Sequence, residues 1–310
     1  MDLKQLAIVL AASFALVAVL LLASAAMQGT AVKPLAANCV GVVLVQGEIS
    51  TGGAGSLGGE GAQSGEVITE LEGAEGDGRV SAIFLEINSP GGSAVASKEI
   101  FDAVREVKTK PVIAYISEAG ASGGYYVASA AETIVANPNA ITGSIGARAT
   151  LLNYGGLFGK VGLYEESLKS GELKDMGAGS RNMTDKEREI FSRMVNETFE
   201  NFELDVRDAR KGKLTAAFEG VLDGRILTAK GALAAGLVDE IGTRKMALKK
   251  AAQLGGIPEG DGGKIEECTF ARPSGLRELF SSLGSTAANA IIPALGLPSP
   301  GAPKIRLDYS

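Results

Sequence analysis

A serine flanked by glycines is the residue whose surroundings in this sequence best fit covalent chemistry. Ser122 lies in Gly120-Ala-Ser-Gly-Gly124, a G-x-S-x-G pattern between an apolar segment and a run of small residues. In α/β-hydrolases this pattern places the serine on a sharp turn between a strand and a helix, with its hydroxyl exposed. Amides at the start of that helix can stabilise a developing negative charge. The pattern predicts a nucleophilic serine, although a serine between glycines is also a common turn residue.

The general base for this serine is not a histidine, because the 310 residues contain none. This composition excludes every Ser-His-Asp triad and removes the commonest metal ligand. A lysine can act instead where burial lowers its pKa, because desolvation disfavours the ammonium form. Spacing alone does not choose among the lysines, so the base stays open at this point.

Apolar segments that alternate with helical patterns are expected to position the serine. Strands are predicted at 40–45, 80–87 and 111–116, and helices at 93–107 and 127–131. This alternation is typical of a largely parallel sheet, in which ligands bind beyond the carboxyl ends of the strands. The glycine-rich turns 88–92 and 119–124 follow strands and are therefore expected at that edge. Further elements are predicted at 133–136, 140–145, 185–210, 229–235, 237–241 and 243–254.

Several short motifs, in unbroken order, resemble those of the signal peptide peptidase A family of serine peptidases. They read NSPGG at 88–92, ASGGYY at 121–126, ITGSIG at 141–146, SGELKD at 170–175 and GLVDEIG at 236–242. The likeness extends over residues 38–254. It implies an α/β fold, a Clp protease/crotonase-like spiral of βαβ units.

The resemblance also implies a role for each site residue. Ser122 would be the nucleophile and Lys174 the general base, with Ser144 orienting the lysine amine. The backbone N–H groups of Gly92 and Gly123 would form the oxyanion hole. These roles require no cofactor and no metal.

The N-terminus contains an uncharged apolar stretch, residues 6–27. As a helix rising about 1.5 Å per residue, it is long enough to cross a hydrocarbon core of about 30 Å. We favour a retained transmembrane anchor over a cleaved signal peptide, although Ala23-Ser-Ala25 fits a cleavage site. Lys4 favours a cytoplasmic N-terminus, which would place the remaining chain outside the cytoplasm. The expected organisation is an anchor at 1–29, a linker at 30–38, a peptidase domain at 39–254 and a low-complexity tail at 255–310.

Together these features predict a membrane-anchored serine endopeptidase that degrades remnant signal peptides at the outer membrane face. The resemblance further implies a closed homo-oligomeric ring, expected to be an octamer, in which neighbouring protomers contribute the serine and the lysine. Three alternatives remain open. A related Ser-Lys peptidase could cut one membrane partner, such as the tail of a stomatin-like scaffold. An acyl-coenzyme A enzyme of crotonase type would need neither residue, and a catalytically silent scaffold would use neither.

Composition and motif spacing limit which other ligands the sequence predicts. The formal net charge of −6, without a basic run, argues against nucleic acid. The glycines at 53, 55 and 58 spell a dinucleotide fingerprint in poor context, so a loop is the preferred interpretation. Cys39 and Cys268 have no zinc-site spacing. We expect two unpaired thiols, with a disulfide as the alternative for a domain outside the cytoplasm.

Overall fold

The structure is a computed structural model that describes residues 38–52, 61–258 and 264–270. The predicted membrane segment, the glycine fingerprint and the tail beyond residue 270 lie outside these ranges. Within the described ranges, no helix combines the length and apolar character that a membrane crossing requires. Nearly all described residues belong to one unit, Met1–Cys268, whereas Thr269 and Phe270 belong to a second, Thr269–Ser310.

One sheet of eight strands organises the described residues. The strands are β1 (Cys39–Gln46), β2 (Val80–Ser89), β3 (Val112–Ala121), β4 (Thr133–Ala136), β5 (Ile141–Gly143), β6 (Ile226–Thr228), β7 (Glu240–Ile241) and β8 (Glu267–Thr269). The helices are α1 (Ser64–Gly76), α2 (Ala94–Glu106), α3 (Gly123–Ser129), α4 (Gly155–Lys160), α5 (Asp185–Ala209), α6 (Ala229–Ala234) and α7 (Arg244–Leu254), with a 3-10 helix at Ala216–Val221.

The centre of the sheet is parallel, as the alternation of strands and helices predicts. The strand order is β6-β5-β3-β2-β1-β8, and β1, β2 and β3 pair in parallel. Ile83, Phe84 and Leu85 in β2 are completely buried. A continuous apolar run suits a strand that is covered on both faces. Because the three strands run in one direction, the turns that follow β2 and β3 meet at one edge.

Strand β3 is longer than the predicted segment 111–116 and reaches Ala121. Its first half pairs with β4 and its second half pairs with β5, from Ala119 opposite Ile141 to Ala121 opposite Gly143. The polar and glycine-containing second half lacks an apolar pattern, so the sequence did not indicate a strand there. Strand pairing therefore fixes the backbone up to the residue before Ser122.

Two elements were not predicted from the sequence. Helix α1 extends from Ser64 to Gly76, a segment for which no helix was predicted. Strand β8 pairs with β1 within residues 255–310, which were predicted to be a low-complexity tail. The expectation of two unpaired thiols was wrong, because Cys39 and Cys268 form a disulfide with their Cα atoms 5.8 Å apart. Such a separation suits a disulfide, and the strand pairing brings two residues distant in sequence to it.

Candidate active site

Ser122 occupies a sharp turn between β3 and α3, as the G-x-S-x-G pattern predicts. Its backbone has φ 51° and ψ −122°, a conformation that residues other than glycine rarely adopt. The Ser122 N–H donates to the Gly143 carbonyl at 2.9 Å, and the Ser122 carbonyl accepts from the Tyr126 N–H at 2.9 Å. The hydroxyl has no hydrogen-bond partner among the described residues. A strained backbone that its neighbours hold in place is a frequent feature of functional sites.

The turn after β2 packs directly against this elbow. A Cβ atom on Gly91, whose φ is 105°, would lie 2.7 Å from the Gly123 nitrogen and 2.9 Å from the Ser122 Cβ. A Cβ on Gly124 would lie 2.6 Å from the Ser89 carbonyl oxygen. No side chain fits at either place, so the glycines of both motifs are required by close backbone approach.

Two backbone amides beside the Ser122 turn are candidates for an oxyanion hole. The Gly91 carbonyl accepts from the Ile49 N–H at 2.9 Å, on the side of the turn where β1 lies. In a trans peptide the N–H points away from the carbonyl, so the Gly92 N–H points toward the β3 side, where Ser122 lies. The Gly123 N–H is the first of α3 and has no intrahelical acceptor. Neither amide has a protein acceptor within the described ranges, and such a pair can stabilise an oxyanion.

Ser144 lies beside Ser122 because β5 continues the parallel ladder along β3. The register pairs Ala121 with Gly143, the last residues of β3 and β5, and the two serines directly follow them. Ser144 also has a positive φ, 53°, and its N–H donates to the Arg225 carbonyl at 2.9 Å. The buried Thr142 hydroxyl donates to the Gly120 carbonyl at 2.6 Å, a support for the elbow that sequence reasoning missed.

Within the described part of the protomer, Lys174 makes no hydrogen bond to Ser122. It lies in a turn at 170–176, where its N–H donates to the Gly171 carbonyl at 3.1 Å. Its side chain is exposed, and within the described part of the protomer its amine makes no hydrogen bond or ion pair. The structure therefore groups Ser122, Ser144, Gly92 and Gly123 but leaves Lys174 apart.

Ion pairs hold the turn that contains Lys174. Asp175 accepts from Lys169 at 2.6 Å and from Arg181 at 2.8 Å, and Arg181 also pairs with Glu187 at 2.5 Å. Glu187 completes a capping box with Thr184 at the start of α5. Arg181, followed by Lys169, holds the pKa of Asp175 well below its ordinary value. Arg181 and the Thr184 N–H lower the pKa of Glu187 to about 2. The sequence motif contained Asp175 but gave no sign of its partners.

The two tyrosines after Ser122, Tyr125 and Tyr126, pack in the core. The Tyr125 hydroxyl donates to the Leu237 carbonyl at 2.9 Å, and the Tyr126 hydroxyl donates to Asp205 of α5. Tyr126 stacks on Phe202 with ring centroids 4.3 Å apart. Burial raises the pKa of both phenols, so neither is a base near neutral pH.

An exposed apolar arm, residues 151–168, precedes the Lys174 turn. Leu152, Tyr164 and Leu168 are 78%, 89% and 94% exposed. The arm is joined to the chain after Lys174, because the Tyr154 N–H donates to the Gly179 carbonyl at 2.7 Å. A cluster of large exposed apolar side chains marks an interaction surface.

Comparison with known proteins assigns the family. The sequence profile of peptidase family S49 matches residues 105–257, which include Ser122, Ser144 and Lys174. A Synechocystis sp. relative, slr0021, is 35% identical over 63% of this chain and 69% of its own length. The chain belongs to peptidase family S49, the signal peptide peptidase A family of serine-type peptidases. The Clp protease profile matches residues 59–142, in agreement with the parallel sheet of a Clp-like α/β fold.

Two further members of the family show how much of their length this chain covers. MJ0651 of Methanocaldococcus jannaschii is 39% identical over 61% of each chain. The chloroplastic serine protease SPPA of Arabidopsis thaliana is 32% identical over 78% of this chain but 35% of its own length. The chain thus spans about three fifths of the first relative and about a third of the second.

Proposed function

We propose that this S49 family member is a membrane-anchored serine endopeptidase with a Ser-Lys dyad, which degrades remnant signal peptides at the outer membrane face. The observation that carries the proposal is the strained turn of Ser122 beside two unpaired amides. This arrangement supports acyl transfer, in which a hydroxyl attacks a carbonyl whose oxygen becomes negatively charged. The absence of histidine from the sequence leaves a lysine as the natural base.

The proposed reaction proceeds in two steps. The Ser122 hydroxyl attacks the peptide carbonyl, and the uncharged Lys174 amine takes its proton. The Gly92 and Gly123 N–H groups bind the oxyanion until the C–N bond breaks and Lys174 returns the proton to the leaving amine. A water activated by Lys174 then hydrolyses the ester on Ser122. Ser144 accepts a hydrogen bond from the lysine and so aims its lone pair.

In this proposal the lysine comes from a neighbouring protomer of a homo-oligomeric ring, an octamer. Two features support this arrangement. Lys174 is exposed and unpartnered within the described part of its own protomer, and the apolar arm beside it lacks a cover. Packing the arm of one copy against the next would bury Leu152, Tyr164 and Leu168, and it would deliver Lys174 to a second copy.

The proposed location rests on two observations. The apolar segment 6–27 is long enough to be an anchor. The disulfide between Cys39 and Cys268 is typical of a domain outside the cytoplasm. An anchored peptidase would meet apolar signal peptides where their concentration is highest, at the surface of the bilayer.

The test is hydrolysis of an apolar fluorogenic peptide by the full chain in detergent, between pH 6 and 10. Ser122→Ala and Lys174→Ala are each expected to lower kcat about 10³-fold or more. Lys245→Ala, which removes an exposed lysine outside the arm, is expected to leave the rate unchanged. Because the base must be uncharged, the rate of the wild type should rise with pH.

Mixed oligomers locate the lysine. When the Ser122→Ala and Lys174→Ala chains are co-expressed in equal amounts, a dyad between protomers restores about a quarter of the wild-type rate, the statistical share of intact pairs. A dyad within one protomer restores nothing. Full activity of Lys174→Ala would disprove the assignment of the base. A wild type inert toward all apolar peptides would favour the acyl-coenzyme A or scaffold alternatives.

A further inference from the structure

We infer that Ser89 is a positioning residue of the oxyanion hole. Ser89 ends β2, lies beside Gly120 of β3 and is completely buried. Its hydroxyl oxygen accepts a hydrogen bond from the Gly91 N–H at 3.1 Å. This inference rests on the proposed function, because it concerns the turn whose Gly92 N–H would bind the oxyanion.

Gly91 is held at both of its peptide groups. Ser89 binds its N–H, and the Ile49 N–H binds its carbonyl at 2.9 Å. The carbonyl of Gly91 and the N–H of Gly92 belong to one rigid peptide plane. The Ile49 hydrogen bond therefore directs the Gly92 N–H only as long as the preceding peptide, whose N–H donates to Ser89, also stays in place. The two anchors lie on different peptides, and together they define the φ and ψ angles of Gly91.

Such anchoring is needed because two successive glycines have no side chains that limit rotation. Glycine reaches positive and negative φ almost equally well, so a glycine pair can turn its peptide plane at little cost. Without the Ser89 hydroxyl, the buried Gly91 N–H would lack an acceptor. The turn would then rearrange to find one, and the Gly92 N–H would leave the direction in which Ser122 lies.

The expected kinetic effect is confined to the transition state. The oxyanion exists only after Ser122 attacks, so a misdirected Gly92 N–H weakens binding of that state and not of the substrate. Removal of one oxyanion donor lowers kcat about 10²-fold or more in serine peptidases. Ser89→Ala is therefore expected to lower kcat about 10²-fold and to change KM less than about twofold.

The experiment compares hydrolysis and crystal structures of the full chain for three variants of Ser89. Ser89→Ala removes the acceptor, Ser89→Cys replaces it with a weak one, and Ser89→Thr keeps the hydroxyl. We expect kcat to rank Thr, Cys, Ala from highest to lowest. The crystal structure of Ser89→Ala should lack the hydrogen bond between Gly91 and Ile49. Ser129→Ala is the matched control, because this buried serine bonds to the Tyr126 carbonyl and does not contact the turn.

Each outcome decides for or against the inference. It fails if Ser89→Ala keeps the peptide orientation of the turn, or if KM rises while kcat stays constant. It also fails if Ser129→Ala lowers kcat as much as Ser89→Ala does. If Ser89→Ala does not fold, equal kcat values for the Cys and Thr variants would overturn it. Should the wild type hydrolyse no peptide, the proposed function fails, whereas the orientation of the turn still tests Ser89.

Discussion

The two halves of the proposed catalytic dyad lie in regions of opposite construction. The elbow around Ser122 is held by the backbone, through the Gly143 and Tyr126 hydrogen bonds and the contact of Gly91 with Gly123. The turn around Lys174 has no strand or helix of its own, and charged side chains hold it in place. Backbone contacts in a packed core leave little room for change, whereas ion pairs between side chains respond to pH and salt.

This difference matches the two tasks. An oxyanion hole must be in place before the reaction, so its donors belong on rigid elements. In the proposed ring, Lys174 has to fit against the surface of a second copy, which a single protomer does not contain. The exposed Lys174 turn is held by an ionic tether, the ion pairs of Arg181 with Asp175 and Glu187, and it can therefore adjust when protomers assemble. We therefore expect substitutions in the elbow to affect chemistry strongly and substitutions in the turn to affect it moderately.

Among substitutions that keep both Ser122 and Lys174, the largest effect is expected for Gly91→Ala. The added Cβ would lie 2.7 Å from the Gly123 nitrogen, and Gly91 has a φ of 105° that alanine rarely adopts. Backbone strain of this kind costs about 1–3 kcal/mol, and displacement of the turn should also lower kcat at least about 10²-fold. Urea unfolding measures the first effect and peptide hydrolysis measures the second.

Gly171→Ala is the matched control on the other side of the comparison. A Cβ at Gly171 has no described atom within 4 Å, although Gly171 accepts the backbone hydrogen bond of Lys174. The unfolding equilibrium constant and the kcat of Gly171→Ala should stay within about twofold of the wild-type values. Equal losses in both variants would show that the elbow is no more tightly constrained than the turn.

The elbow was the more predictable of the two regions. The G-x-S-x-G pattern and the apolar strands before it predicted where Ser122 turns, because short-range glycine geometry determines that turn. The extension of β3 was not predicted, because its second half has no apolar pattern and the sequence does not show that this half pairs with β5. The Thr142 support depends on the same pairing.

The lysine turn and the disulfide were beyond sequence reasoning for a different reason. Arg181, Asp175 and Glu187 are ordinary charged residues in the sequence, and their mutual geometry appears only in the fold. Cys39 and Cys268 meet because β8 pairs beside β1, and β8 carries no alternating pattern. Local sequence patterns predict local turns well. Contacts between side chains that are distant in sequence can be identified only from the three-dimensional structure.

A smaller effect is expected for Arg181→Met, which tests the ionic tether. This change removes the cation shared by Asp175 and Glu187 and leaves the buried Glu187 without its guanidinium partner. We expect kcat/KM to fall about tenfold, because Lys174 loses its position while the proposed oxyanion hole stays intact. Hydrogen exchange should rise in residues 170–183 and stay unchanged in β3.

Arg79→Met is the control for Arg181→Met, because Arg79 forms a comparable exposed pair with the nearby Asp77. Arg79→Met should leave the hydrogen-exchange rates of residues 170–183 and the kcat/KM at their wild-type values. Faster exchange in β3 of Arg181→Met would contradict the separation of the two regions, since the elbow would then depend on the tether.

The smallest effect is the response of the turn to acid. The folded-state pKa values of Asp175 and Glu187 are lowered, to about 2 for Glu187, so their ion pairs stabilise the fold fully above the ordinary carboxyl pKa of about 4. This contribution is lost as the pH falls from there through about 2. The sequence has no tryptophan, so Leu173→Trp supplies a single fluorescent reporter beside Lys174. Its emission should shift between pH 4 and 2, as protonation of Asp175 and Glu187 breaks the ion pairs that hold the turn. The same reporter in Arg181→Met should lack this shift, and an unchanged shift there would show that other carboxylates hold the turn.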